Sequence, residues 1–190
     1  MHLCVDMQRL FGPGSPWAAP WIERILPTVL RLVNHSASRT VFTRFIPARS
    51  AEEARGRWTR FYRKWESVTL DRLNPELLDL LPSLDRFSPP AEKFDRTTYS
   101  AFADGRLHKW LRERDVTTLI VSGAETDVCV LATVLAGVDL GYRTIIVRNA
   151  LASSADETHD ALLALYSRRY DIQIELADVD EMIAAWHPEK

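Results

Sequence analysis

Apolar residues along the chain follow two different spacings, and each spacing predicts one type of element. Continuous β-branched and aliphatic runs at 118–121 and 144–147 are typical of strands buried on both faces of a parallel sheet. Amphipathic segments between such runs predict helices. The pattern predicts strands near 2–6, 40–45, 91–95, 117–122, 143–147 and 171–175, and helices near 20–34, 51–66, 104–114, 127–140, 156–169 and 178–186.

This alternation of strands and helices predicts an α/β fold. We expect three layers, α/β/α, around a doubly wound, mostly parallel sheet of six strands. A length of 190 residues suits one domain with a sizeable core, so residues 1–190 are expected to form a single domain. Irregular structure within that domain is marked by Pro75, Pro82, Pro89 and Pro90.

Composition limits the classes of partner and compartment. A net charge of -2 gives no general attraction to nucleic acid or to an anionic membrane. Two cysteines, Cys4 and Cys129, make no disulfide framework, which fits a reducing cytoplasm. The first residues are too short and uncharged for a signal peptide, and apolar runs of membrane-spanning length are lacking. We therefore expect a cytoplasmic protein that binds a small molecule, without nucleic acid, membrane or cofactor.

The segment 123–130, GAETDVCV, lies between a predicted strand and a predicted helix. Cys129 would then occupy the first helical turn, where unpaired N–H groups and the helix dipole favour the thiolate, the nucleophilic form. The alternative is a small buried residue that packs like Ala or Val. The position of Cys129 after a predicted strand favours the nucleophile, because open α/β sheets bind ligands outside the carboxyl ends of their strands.

Such a site needs partners, and two other strand ends offer them. Asp6 follows the apolar strand at 2–6, where a buried strand has no reason of its own to end in a carboxylate; the alternative is that Asp6 caps the next turn. A short strand at 91–95 carries Lys93 and is followed by Arg96. These two cations could serve the site, or could be ordinary charged residues that face solvent.

Four stretches resemble the isochorismatase-like cysteine hydrolases. They are CVDMQ around Asp6, YSAF at 99–102, GAETDVCV at 123–130 and LGYRTIIVRNAL at 140–151. The resemblance spans nearly the whole chain, and 47–90 alone is unmatched in detail. In this family an Asp is the general base, a Lys is the stabilising cation and a Cys is the nucleophile. The resemblance therefore implies the first and third roles for Asp6 and Cys129.

The cation departs from the family pattern. Many members place their Lys three positions before the Tyr of YSAF, where this chain has Arg96. Lys93 would reach the site only with a short insertion, so we favour Arg96 because its alignment needs no gap. An Arg keeps a positive charge beside the thiolate but cannot give up a proton at accessible pH. Alternation along the strand predicts that residues 93 and 96 face opposite ways.

The resemblance also implies an oxyanion hole and an aromatic pocket. A cis peptide is expected before Glu125, and the backbone N–H groups of Glu125 and Cys129 would hold the oxyanion. Trp17, Phe45 and Tyr99 are expected to bind substrate, and Trp21 is a further candidate for a pocket wall. Nicotinamidase-like relatives bind a metal through an Asp and two His after the second strand, whereas this chain has TRFIP at 43–47, so no metal is expected.

The segment 51–66 combines an aromatic face with many basic residues. Its aromatic residues recur at helical spacing: Trp58, Phe61, Tyr62 and Trp65. We favour core packing or a subunit contact for this face, in line with the homo-oligomer that the family resemblance implies. The alternative is a lid whose arginines attract an anionic substrate.

These observations favour a cysteine-dependent hydrolase of a small amide-like C–N bond in a ureido, carbamoyl or carboxamide compound. One alternative is hydrolysis of the vinyl ether of an isochorismate-like acid, although relatives with that activity need no nucleophilic Cys. Another is a binding protein that keeps the fold without catalysis, which the Arg at the Lys position would suit.

Overall fold

A six-stranded sheet forms the middle layer of the protein. The computed structural model describes residues 1–187. All pairings in the sheet are parallel, in the order β3-β2-β1-β4-β5-β6. The strands are β1 (His2–Val5), β2 (Thr40–Phe45), β3 (Glu92–Arg96), β4 (Thr118–Ala124), β5 (Arg143–Ala152) and β6 (Ile174–Ala177). The predicted α/β class, the doubly wound order and the parallel sheet are confirmed.

Helices cover both faces of this sheet. They are α1 (Ile22–His35), α2 (Arg57–Lys64), α3 (Pro82–Asp85), α4 (Arg106–Arg112), α5 (Leu131–Asp139), α6 (Asp156–Arg169) and α7 (Val179–Ala185). The apolar residues of α1 and α7 belong to one buried cluster, and those of α4, α5 and α6 belong to the other. Within residues 1–187, no helix combines the length and apolarity needed to cross a bilayer.

The strand order reverses at β1, which has β2 on one side and β4 on the other. Loops that leave neighbouring strands in opposite directions open a crevice at such a point. Gly123 makes the close contact of β4 with β1 possible: a Cβ there would lie 2.0 Å from the carbonyl oxygen of Val5, and its φ is +112°. The carboxyl ends of β1 and β4 are therefore held side by side.

Several predicted elements differ in their bounds from those observed. The strand predicted at 143–147 continues to Ala152, which pairs with Ala124 of β4. The helix predicted at 51–66 is confined to α2, because Gly56 adopts a positive φ of 58° immediately before it. The helix predicted at 127–140 is divided: Thr126–Val130 form a wider π-helical turn, and α5 begins at Leu131. The last strand starts at Ile174 rather than near 171, since that is where pairing with β5 begins.

Candidate active site

The carboxyl ends of three strands bring together the three residues expected from the sequence. Asp6 directly follows β1, Arg96 ends β3, and Cys129 lies in the π-helical turn after β4. Their exposed fractions are 0%, 5% and 4%, so this polar cluster is almost fully removed from water. A buried carboxylate next to a buried cation and a thiol is costly unless the groups satisfy one another.

The Asp6 carboxylate is fixed by donors on both oxygens. The Thr43 hydroxyl donates to Oδ1 over 2.8 Å, and Nη2 of Arg96 donates to Oδ2. The backbone N–H of Asp6 donates in turn to the carbonyl of Thr43 over 3.2 Å. Asp6 has a φ of 50°, a region that Asp tolerates better than most residues. These contacts aim the carboxylate at the turn that carries Cys129.

Arg96, and not Lys93, provides the cation of this cluster. Its guanidinium donates to Asp6 and to the carbonyl of Thr98, and the Cys129 thiol lies beside it. Lys93 instead pairs with Asp85, with 2.6 Å between Nζ and Oδ1. The two cations therefore serve different surroundings, as expected from residues on opposite faces of one strand.

The Cys129 thiol is surrounded by opposing influences on its pKa. Burial raises the pKa of Cys129 well above its ordinary value, the Asp6 carboxylate raises it further, and Arg96 opposes both. The predicted lowering of this pKa is therefore wrong. Desolvation by burial is the largest influence on the pKa of Cys129 and outweighs the helix dipole. The turn is also π-helical rather than the first turn of an α-helix.

Protonation in the resting site follows from this arrangement. Burial also raises the pKa of Asp6, but Arg96, Thr43 and the thiol all favour its ionised form. The ordinary pKa of a carboxyl group lies far below that of a thiol. The proton therefore rests on sulfur, and Asp6 is the acceptor to which it can move.

The turn that carries Cys129 is tied to β5 and α6 by side chains. The Asp127 carboxylate accepts hydrogen bonds from the hydroxyls of Thr158 and Ser153, the latter over 2.7 Å. Thr126 is buried, its hydroxyl donates to the carbonyl of Ala152, and it lies 2.8 Å from Nδ1 of His159. This network fixes the position of the thiol relative to the sheet.

Glu125 immediately precedes this turn, Cys129 lies within it, and both line the adjoining cavity. The peptide bond between Ala124 and Glu125 is cis, as the family resemblance implies. The assignment of their backbone N–H groups to an oxyanion hole stays a prediction.

A cavity of about 320 Å³ opens above Cys129. Its walls are mainly aromatic, and they include the three residues expected to bind substrate, Trp17, Phe45 and Tyr99. Further wall residues are Phe11, Pro16, Ala18, Phe61, Trp65 and Val128, with Glu125 and Ser154 as polar members. Trp21 is not among these lining residues; its ring packs 5.1 Å from that of His159. The size and lining suit a small molecule with an apolar body.

Helix α2 and the residue that follows it provide part of this wall. Phe61 and Trp65 line the cavity, with their rings 5.8 and 6.0 Å from that of Trp17, whereas Tyr62 is buried in the protein. The preferred interpretation of this aromatic face as core or subunit contact therefore missed two pocket residues. The helical spacing of these residues showed that they share a face, but it did not show that the face lines the cavity. The basic residues of α2 are exposed and lie outside the lining.

The residues at the carboxyl end of β2 do not fit the metal site of nicotinamidase-like relatives. Thr43 donates to Asp6, Arg44 pairs with Asp95 over 2.7 Å, and Phe45 is a cavity wall. None of the three side chains is a usual ligand for zinc or iron. Across residues 1–187 the structure brings no three His, Cys, Asp or Glu side chains into a group that could hold a metal ion.

Fold and site together define a doubly wound α/β protein with a buried Asp, Arg and Cys cluster at the carboxyl edge of its sheet. The family model described as "Isochorismatase domain" matches residues 1–178. The chain belongs to the isochorismatase family and is a hydrolase of that family, which confirms the resemblance found in the sequence.

Individual relatives extend this comparison. A protein of Arabidopsis thaliana described as "Probable inactive nicotinamidase" is 25% identical over 166 residues, which cover 84% of this chain and 83% of that protein. The crystal structure of a cysteine hydrolase from Pseudomonas syringae pv. phaseolicola 1448A matches with a TM-score of 0.83 and 24% identity, over 96% of this chain and 90% of the other. N-carbamoylsarcosine amidase from Thermoplasma acidophilum matches with a TM-score of 0.75 and 20% identity, over 95% and 96%. At these identities the two structures support the fold.

Proposed function

We propose that this protein hydrolyses a small amide-like C–N bond through an acyl-enzyme on Cys129. The observation that carries the proposal is the contact of a buried thiol with both a carboxylate and a guanidinium in the wall of a mainly apolar cavity. The carboxylate supplies a proton acceptor, the thiol supplies a nucleophile, and the cavity holds the body of the substrate. Two relatives support the same reaction class by their names: "Nicotinamidase 3" of Arabidopsis thaliana, which is 27% identical over 85% of this chain and 77% of that protein, and the N-carbamoylsarcosine amidase.

In the acylation step, the thiol proton of Cys129 moves to the Asp6 carboxylate as sulfur attacks the carbonyl carbon. The C=O electron pair moves onto oxygen, and the backbone N–H groups of Glu125 and Cys129 stabilise the resulting oxyanion. When the tetrahedral intermediate collapses, the C–N bond breaks. The leaving nitrogen takes the proton from Asp6, so that ammonia or an amine departs and a thioester remains on Cys129.

Water then completes the reaction. Asp6, again ionised, accepts a proton from water as the water oxygen attacks the thioester carbon. The C–S bond breaks, sulfur recovers the proton held by Asp6, and the carboxylic or carbamic acid is released. Arg96 keeps its proton throughout, so its role is to stabilise the negative charge that moves among sulfur and the Asp6 oxygens.

The cavity lining favours this amide reaction over hydrolysis of an isochorismate-like acid. Such an acid carries carboxylates, which a buried site binds through Arg or Lys side chains. The lining residues within the described part of the chain include no Arg or Lys, and the charged side chain among them is the acidic Glu125. Arg96 is already paired with Asp6.

A substrate screen tests the proposal. Ammonia release is measured across small carboxamides, carbamoyl compounds and ureido compounds, with an isochorismate-like vinyl ether as a separate arm. We expect turnover of at least one amide-like compound and none of the vinyl ether. Cleavage of the vinyl ether alone, or binding of amides without any turnover, would contradict the proposed function.

A further inference from the structure

Glu125 is the charged residue among the described residues that line a mainly apolar cavity. Its residue is half-buried, and its neighbours in the lining are mainly aromatic. The backbone N–H of Ser154 donates to Oε1 of Glu125 over 3.0 Å, which holds the carboxylate in place. Because Glu125 and Cys129 line the same cavity, a molecule bound next to Cys129 lies near Glu125.

No cation in the described part of the chain compensates this charge. Glu125 takes part in none of the ion pairs found among residues 1–187. Arg96 is committed to Asp6, and the basic side chains of α2 are exposed to solvent. Burial raises the pKa of Glu125, and the nearby Asp127 raises it further, as expected for a carboxylate without a cationic partner.

We propose that the side chain of Glu125 determines substrate specificity, by selecting amides whose apolar body carries a cationic amino group or an N–H donor and by rejecting amides that carry a carboxylate. This inference rests on the proposed function, because it concerns the substrate of the same site. It assigns to the side chain a role separate from that of the Glu125 backbone N–H in the oxyanion hole.

The surroundings strengthen this selection. Aromatic walls exclude water from the occupied cavity, and in a site of low dielectric constant both attraction and repulsion between charges increase. The aromatic lining residues Trp17 and Tyr99 also have π-systems that attract a cation and not an anion, whereas the Trp65 ring already lies 5.4 Å from the Lys64 ammonium. Placing a second carboxylate next to Glu125 is therefore electrostatically unfavourable.

Matched substrates and an isosteric variant test the proposal. The substrates are benzamide, para-aminomethylbenzamide and para-carboxybenzamide, assayed by ammonia release in mildly alkaline buffer, which favours the ionised form of Glu125. Glu125→Gln removes the charge but keeps the backbone N–H and an oxygen that can accept from Ser154. Glu92→Gln is the control, since Glu92 is an exposed carboxylate at the amino end of β3, the opposite edge of the sheet.

For the unchanged protein and the Glu92→Gln control, we expect kcat/KM for the cationic amide to exceed that for the anionic amide by about 100-fold or more. In Glu125→Gln this ratio should fall by at least about tenfold, through faster turnover of the anionic amide and slower turnover of the cationic one. A ratio that is the same in Glu125→Gln and in the control would overturn the proposal.

Binding to an inactive variant separates this inference from the proposed reaction. In Cys129→Ala, the fluorescence of Trp17 and Trp65 should report benzamidinium binding, with much weaker binding of benzoate. Adding Glu125→Gln should reduce that difference. If the protein binds benzamidinium more tightly than benzoate while no amide is hydrolysed, the proposed reaction is wrong and the role of Glu125 in specificity stands. If benzoate binds as well as benzamidinium, or neither ligand binds, the role of Glu125 is refuted.

Discussion

At the scale of single residues, the ion pair of Arg96 with Asp6 carries the electrostatics of the site. Removing one partner of a buried pair leaves the other charge without compensation, which costs about 3–5 kcal/mol of folding stability. Arg96→Ala should therefore lower stability by that order. It should also raise the pH midpoint for alkylation of Cys129, because Arg96 is the group that lowers the pKa of this thiol. Turnover should fall with the same change.

Lys93→Ala is the matched control, since Lys93 pairs with Asp85 near the surface. This variant should cost less than about 1 kcal/mol and leave both the alkylation midpoint and turnover unchanged. Arg96→Lys preserves the charge, so it should fold and should keep the midpoint closer to that of the unchanged protein than Arg96→Ala does. An unchanged midpoint in both Arg96 variants would refute the assigned role of Arg96.

The sequence predicted this cluster but not its protonation. Asp6, Arg96 and Cys129 each follow or end a strand, and strand ends are recognisable from apolar runs, so their meeting at one edge of the sheet could be predicted. The choice of Arg96 over Lys93 followed from an alignment without a gap. The pKa of Cys129 depends instead on how completely the folded chain removes the thiol from water. No local pattern around residue 129 measures that quantity.

At the scale of elements, α2 contributes part of the cavity wall. Phe61 lies between the rings of Trp17 and Trp58, at 5.8 and 5.2 Å, and lines the substrate cavity. Phe61→Ala should raise KM for an apolar amide by about tenfold, since removing much of a buried aromatic wall costs roughly 1.5 kcal/mol of apolar contact. The measurement is steady-state kinetics on the best substrate of the screen.

Arg63→Ala is the control for α2, because Arg63 is exposed and lies outside the cavity lining. Its KM should match that of the unchanged protein. Equal KM values for the Phe61 and Arg63 variants would show that α2 does not contact the substrate. The location of this aromatic face could not be predicted, since helical spacing shows that residues share a face but does not show what the face covers.

At the scale of the whole molecule, the reaction should need no metal ion. Thr43, Arg44 and Phe45 occupy the carboxyl end of β2 and have other partners, so this chain does not reproduce the ligand set of nicotinamidase-like relatives. Activity should survive exhaustive chelation, and elemental analysis should find no stoichiometric zinc or iron. Loss of activity on chelation, with recovery on adding one metal, would contradict this view of the site.

Assembly of the molecule stays a prediction. The family resemblance implies a homo-oligomer, which light scattering on the purified protein would test. The fold class and its three layers could be predicted, since continuous apolar runs at 118–121 and 144–147 indicate strands covered on both faces, and helices on both sides of a parallel sheet are the usual way to cover them.

Replacement of Cys129 tests the central claim most directly. Cys129→Ala keeps a small buried side chain in the turn, so the fold should be retained, as circular dichroism and thermal unfolding would show. Turnover of the best amide should fall by at least about 10³-fold, because the nucleophile is lost while the cavity remains. Cys4→Ala, which removes the other buried thiol, should keep its activity. Near-normal turnover in Cys129→Ala would contradict the acyl-enzyme mechanism.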